Sequence, residues 1–161
     1  MRLELWKSGA PASEAREGRR TVAHVMERDV LWLPEDMPLE RAAQELVARR
    51  AMGAPVCTRD GAVVGVVSIG DIVELFGALG DVASVRDAMT SEVLSVCEDD
   101  PIERAVERMA FDGVHRLVVV DGDGRFAGSV TSMDVLRELA RGHPGFPSAR
   151  GDQRIAAYFT T

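Results

Sequence analysis

Apolar residues recur at Leu39, Ala42, Ala43, Leu46 and Val47, and again at Ile102, Ala105, Val106, Met109 and Ala110. That i, i+3, i+4, i+7, i+8 spacing draws one stripe along an amphipathic helix. A short apolar run precedes each stripe, VLWL at 30–33 and VLSV at 93–96, and reads as a buried strand. Two more strand-like runs follow each stripe: APVCT and AVVGVVS in the first stretch, RLVVVD and RFAGSVT in the second. The turns that join them, RDG and DGDG, carry the Asp-Gly chemistry of a tight hairpin. A last apolar group closes each stretch, Ile72, Val73 and Phe76 in one and Val135, Leu136 and Leu139 in the other. The predicted order is strand, helix, strand, strand, helix, twice. Pro38 and Pro101 are expected in the first helical turn, where a missing N–H costs nothing. Asp36, Asp99 and Asp100 put carboxylates at the positive end of the helix dipole.

The two stretches are copies. Displaced by 63 residues, Thr21–Phe76 aligns without a gap on Ser84–Leu139. Met26 falls on Met89, Pro38 on Pro101, Asp60-Gly61 on Asp123-Gly124, Gly65 on Gly128 and Asp71 on Asp134. Compositional bias does not match Met, Pro, Gly and Asp at one offset, so the repeat is structural. The division is an N-terminal arm (1–20), repeat 1 (21–78), repeat 2 (84–141) and a C-terminal tail (142–161). One copy alone would bury only about 60% of the surface its unfolded chain exposes, so two are expected to fold together. The fold class is α+β: two tandem β-α-β-β-α repeats packed with pseudo-twofold symmetry around a cleft.

Composition narrows the function. The formal net charge is −7, and no Lys/Arg cluster offsets it, which argues against nucleic acid and against a membrane surface. No apolar run approaches the roughly 20 residues of a spanning helix, and the first residues lack the pattern of a secretory signal. A cytoplasmic protein is expected. Cys57 and Cys97 lie in apolar strand-like runs and read as small buried hydrophobes. No metal site is expected, and no catalytic one: His24, His115 and His143 lack a Ser or Cys partner in a nucleophile context. Asp121-Gly-Asp123 opens like a calcium loop, but Ser132 stands where the closing Glu belongs.

The informative motif follows the third strand of each copy: Gly65-Val-Val-Ser68-Ile-Gly-Asp71 and Gly128-Ser-Val-Thr131-Ser-Met-Asp134. Ser/Thr-x-x-Asp at a strand-to-helix junction is a capping box that needs no ligand. It also suits one, because a helix N-terminus with a hydroxyl attracts phosphate. A carboxylate one turn on can take both hydroxyls of a ribose, as in dinucleotide sites. The motif alone leaves both readings open.

The duplicate resembles a CBS-domain pair, or Bateman module, over roughly residues 21–140. The resemblance rests on Met26 and Met89, the apolar helices, His115-Arg116-Leu117-Val118-Val119-Val120-Asp121 and the two Gly-x-x-Ser/Thr-x-x-Asp exits. It implies a regulatory ligand, an adenine nucleotide or an S-adenosylmethionine-like compound, with no obligatory cofactor. It implies Asp71 and Asp134 as ribose ligands, with Ser68 and Thr131 beside them. His115-Arg116 resembles the pair that the nucleotide-sensing subunit of AMP-activated protein kinase sets against phosphates. Copy one has Met52-Gly53 there, which predicts unequal sites. The adenine is expected among Val30, Ala54, Val93 and Leu117. The resemblance also implies a homodimer, through the apolar faces Ile72/Phe76/Leu79 and Val135/Leu136/Leu139. The alternative is a ligand-free oligomerisation scaffold whose motifs are only caps. An effector protein that reads the signal is compatible with either.

Overall fold

The computed structural model describes residues 20–76 and 84–141. Repeat 1 runs through Leu33–Pro34 (β1), Leu39–Arg49 (α1), Gly53–Cys57 (β2), Val63–Ser68 (β3) and Ile69–Phe76 (α2). After the short helix Val85–Ala88 (α3), repeat 2 runs through Ser95–Cys97 (β4), Ile102–Asp112 (α4), Arg116–Val120 (β5), Phe126–Thr131 (β6) and Ser132–Arg141 (α5). Each repeat forms its own three-stranded sheet, ordered β1-β2-β3 and β4-β5-β6. The first pair in each is parallel and the second is the antiparallel hairpin. Repeat 1 builds one core on Leu33, Leu39, Leu46, Val56 and Val67, and repeat 2 another on Val96, Met109, Leu117, Val119 and Val130.

Two local expectations shift. Pro38 and Pro101 stand one position earlier than predicted, as extended residues capping helices that begin at Leu39 and Ile102. The first strand of each copy starts later than the apolar runs suggest, at Leu33 and Ser95. The reason is that the preceding residues leave one sheet for the other.

That crossing is the central feature of the architecture. The turn Val22–His24 belongs by sequence to repeat 1 but packs on repeat 2: Val22 N–H donates to the Asp100 carbonyl and Ala23 N–H to that of Glu98. Val22 is fully buried in the repeat 2 core. Reciprocally, Val85 N–H of α3 donates to the Met37 carbonyl and Arg86 N–H to that of Glu35, with Val85 buried in the repeat 1 core. Further along, Glu27 exchanges both backbone hydrogen bonds with Ser129, and Thr90 exchanges both with Val66. The outer edges of β3 and β6 are thus each met by the other repeat's segment, leaving less open edge to aggregate. Gly65 and Gly128 permit this approach: a Cβ on Gly65 would meet Met89 Sδ at 2.7 Å, and one on Gly128 the Glu27 carbonyl oxygen at 2.3 Å. The hairpins also touch, through Phe126 N–H on the Gly61 carbonyl.

The second helices divide their apolar residues. Ile72 and Val135 point into the cores, both 4% exposed, so they do not belong to an outer face as expected. Val73, Leu136 and Leu139 are exposed. The Phe76 side chain, Leu79, the arm with Leu3–Trp6, and the tail with His143, Arg150-Gly-Asp152 and Ile155–Phe159 lie outside the described residues. Cys57 is buried, Cys97 half-buried, and both thiols are free. Among the described residues no helix is long and apolar enough to cross a membrane.

Candidate functional site

Both strand-to-helix exits form the capping box. Ser68 N–H and Oγ–H donate to Asp71 Oδ2 at 2.8 and 2.6 Å, and Asp71 N–H returns to Ser68 Oγ at 3.3 Å. Thr131 and Asp134 repeat the pattern at 2.9, 2.5 and 3.2 Å. Such a cap is worth about 1 kcal/mol and fixes the carboxylate's orientation at the head of the helix. It consumes Oδ2 in each case. Among the described residues Asp71 Oδ1 has no hydrogen-bond donor, whereas Asp134 Oδ1 accepts from Arg137 at 3.0 Å.

The sheet register brings more of the candidates to the same ends. Arg116 stands directly across from Thr131, and the His115 carbonyl accepts Ser132 N–H at the start of α5. Both His115 and Arg116 are exposed. At the repeat 1 end the same places hold Met52, whose carbonyl accepts Ile69 N–H, and Gly53, which faces Ser68. An arginine would not fit at 53 on this backbone, since a Cβ there would stand 2.8 Å from the Val67 carbonyl oxygen. Ala54 and Leu117 are core residues at 4% and 1% exposure, while Val30 and Val93 are half-buried.

A polar cavity of about 270 Å³ opens beside Asp134. One wall is His24, Val25 and Met26 of the crossing segment; the other is Asp134, Arg137, Glu138 and Arg141 of α5. These α5 residues fall on one helix face at i, i+3, i+4 and i+7. His24 Nδ1 accepts Thr21 N–H at 3.1 Å, so in the neutral ring the proton sits on Nε2, which is left as a donor. Arg141 and Arg20 both pair with Glu138, whose side chain is 11% exposed. Sequence reasoning missed His24, Arg137, Glu138 and Arg141. The helical spacing from Asp134 signals the last three, but nothing local says that His24 joins repeat 2. Among the described residues no three His, Cys, Asp or Glu side chains are grouped to hold a metal ion.

Two interlocked α+β repeats, each ending a hairpin in a Ser/Thr-capped aspartate, define a tandem-repeat module. The CBS domain family model matches residues 22–78 and 85–141, and the chain belongs to that family. A homoserine O-acetyltransferase of Methanohalobium evestigatum is 30% identical over 116 residues, which cover 72% of this chain and 23% of that protein. The 5'-AMP-activated protein kinase subunit gamma-3 of Homo sapiens is 30% identical over 121 residues, 70% of this chain and 25% of that one. The chain therefore spans about a quarter of the length of these relatives. Among solved structures, CBSX2 of Arabidopsis thaliana in complex with AMP superposes with a TM-score of 0.64 at 27% identity, over 75% of this chain and 96% of that one.

Proposed function

We propose that this CBS pair is a ligand-sensing regulatory module that binds an adenine nucleotide, or an S-adenosylmethionine-like compound, in the cleft between its repeats. The observation that carries the reading is the pair of aspartates whose caps use one carboxylate oxygen and hold the other away from the cap. A carboxylate oriented in this way is suited to the vicinal hydroxyls of a ribose. The likeness to a structure holding AMP supports the choice of adenine nucleotide. In this reading Asp71 and Asp134 take ribose hydroxyls, Ser68 stands beside the sugar at the repeat 1 end, and Thr131, His115 and Arg116 serve the phosphate side. Val30 and Val93 contact the base, backed from the cores by Ala54 and Leu117. Binding orders the crossing segments and changes how the repeats, or two protomers joined through Val73, Leu136 and Leu139, sit against each other. An effector protein reads that change in the cytoplasm.

A thermal-shift and calorimetric series with adenosine, AMP, ADP, ATP and S-adenosylmethionine tests the reading. A ligand that binds the native state alone stabilises it by about 2.7 kcal/mol at a hundredfold excess over its dissociation constant. Asp71→Asn combined with Asp134→Asn abolishes the shift. No shift with any of the five, or an unchanged shift in the double variant, leaves the motifs as caps and the chain as a scaffold.

A further inference from the structure

We infer that the anionic part of the ligand is held at the repeat 2 end alone, in the cavity between the crossing segment and α5, by Arg137 and Arg141 with His24 opposite them. The inference rests on the reading of Asp134 as a ribose-binding acid. The two ends differ in charge at positions related by the 63-residue offset, and the crossing decides which segment serves which end.

The cavity at Asp134 carries Arg137, Arg141 and His24 against Asp134 and Glu138. At the 63-residue offset the matching residues in sequence are Glu74, Ala78, Asp87, Asp71 and Leu75, three acids and no cation, with Ala78 outside the described residues. The crossing sets the contrast, because His24 is delivered to repeat 2 and Asp87, on α3, to repeat 1. The hairpin ends agree, with Arg116 and His115 on one side and Gly53 and Met52 on the other. Five pairs, His24/Asp87, Arg137/Glu74, Arg141/Ala78, Arg116/Gly53 and His115/Met52, put the more basic residue at the repeat 2 end, and Glu138/Leu75 runs the other way, on a chain whose net charge is −7. In the cavity Arg137 and Arg141 balance Asp134 and Glu138, and Arg116 at the hairpin end adds a cation, so an anion meets less repulsion here than over the acidic surface as a whole.

The ion pair between Arg137 and Asp134 is no obstacle. Arg137 is 60% exposed and the pair spans a single helical turn, an arrangement that is weak in water and easily redirected. When ribose hydroxyls take Asp134 Oδ1, Arg137 exchanges the carboxylate for the ligand's phosphate and its charge stays compensated. None of the aligned positions on the repeat 1 side carries a cation, so that end takes at most an uncharged or cationic nucleoside.

Calorimetry on the full chain tests this with AMP as the probe. Arg137→Glu installs the repeat 1 charge at the exposed α5 position, and Arg49→Glu makes the same charge change at an exposed position at the end of α1. The expected result is AMP binding weakened by at least about tenfold in Arg137→Glu and changed by less than about twofold in Arg49→Glu. Equal effects in the two variants, or no effect in Arg137→Glu, overturn the inference. Adenosine or S-adenosylmethionine binding to the wild type without AMP also overturns it, while leaving the proposed function standing. If none of the nucleotides binds the wild type, both fall.

Discussion

The backbone of Gly128 lies against that of Glu27, and a Cβ at position 128 would stand 2.3 Å from the Glu27 carbonyl oxygen. The contact is not incidental: Glu27 and Ser129 exchange both backbone hydrogen bonds at 2.9 Å immediately beside it. Gly128→Ala must push two backbones apart or break that bridge. The expected cost is about 1–3 kcal/mol, the usual range for overpacking, read as a lower urea midpoint at unchanged slope. Gly65→Ala is expected to cost less, because its Cβ meets the flexible Met89 Sδ at 2.7 Å and reaches backbone, the Thr90 carbonyl oxygen, only at 2.9 Å. Equal stability of Gly128→Ala and wild type would mean the crossing segment is not seated on β6.

The exchange of segments predicts that a substitution in one repeat loosens the other. Val22 lies in repeat 1 by sequence but is fully buried with Val96, Leu117 and Val119. Val22→Ala removes buried methyl groups and is expected to cost about 2 kcal/mol. Hydrogen exchange locates the effect: amides of β5 and β6 lose protection before those of β2 and β3. Earlier loss in β2 and β3 would refute the exchange.

Much of this fold was legible because the repeat supplies two readings of one unit. The stripes of α1 and α4, the hairpins with their Asp-Gly turns and the capped aspartates follow from periods and turn chemistry that act locally. What stayed hidden is the partner of each segment. Residues 22–27 carry no period that distinguishes sheet 1 from sheet 2, and the choice is made by tertiary packing of Val22 and by the room that Gly128 leaves. For that reason His24 reads as an isolated histidine in sequence and as a wall of the Asp134 cavity in the structure. The apolar runs at 30–33 and 93–96 misled for the same cause: in the first only Leu33 pairs as strand, and in the second Ser95 and Val96 do, the residues before them still coming from the crossing. Ile72 and Val135 illustrate a smaller ambiguity, since an apolar helix residue does not declare whether it faces a core or a partner.

Comparing the helix ends gives a stabilising substitution. Arg50 follows α1 with φ 52°, and Gly113 follows α4 at the equivalent place with φ 68°. A left-handed conformation costs a residue with a Cβ about 1–2 kcal/mol, and glycine adopts it freely. Glycine loses more chain entropy on folding, which offsets part of the gain. Arg50→Gly is therefore expected to stabilise by about 0.5–1 kcal/mol, visible as a higher urea midpoint. A decrease would show that the arginine side chain contributes more than its backbone strain removes.

Cys57 makes stability depend on alkaline pH in an unusually clean way. The residue is 1% exposed, and burial, by penalising the thiolate, pushes its pKa from about 9 up to about 11. In the unfolded chain the thiol ionises near its ordinary value while the folded protein still holds the proton, so the folded state binds more protons across this window. Stability therefore falls as pH rises from about 9 to about 11, and this group contributes no slope below that range. The full loss is up to about 3 kcal/mol. Few other side chains confuse the measurement, because the sequence has one lysine, Lys7, and one tyrosine, Tyr158, and every other basic side chain that titrates above pH 9 is arginine. Urea midpoints measured between those pH values for wild type and Cys57→Ala isolate the term: the variant is less stable at neutral pH but has the shallower alkaline slope. Thiol reagents supply the independent check, since the thiolate is the reactive species. In the native protein half-buried Cys97 is expected to react first and Cys57 only on unfolding. Rapid labelling of Cys57 in the native state, or parallel slopes in the two proteins, would show that the β2 thiol is not sealed in the core.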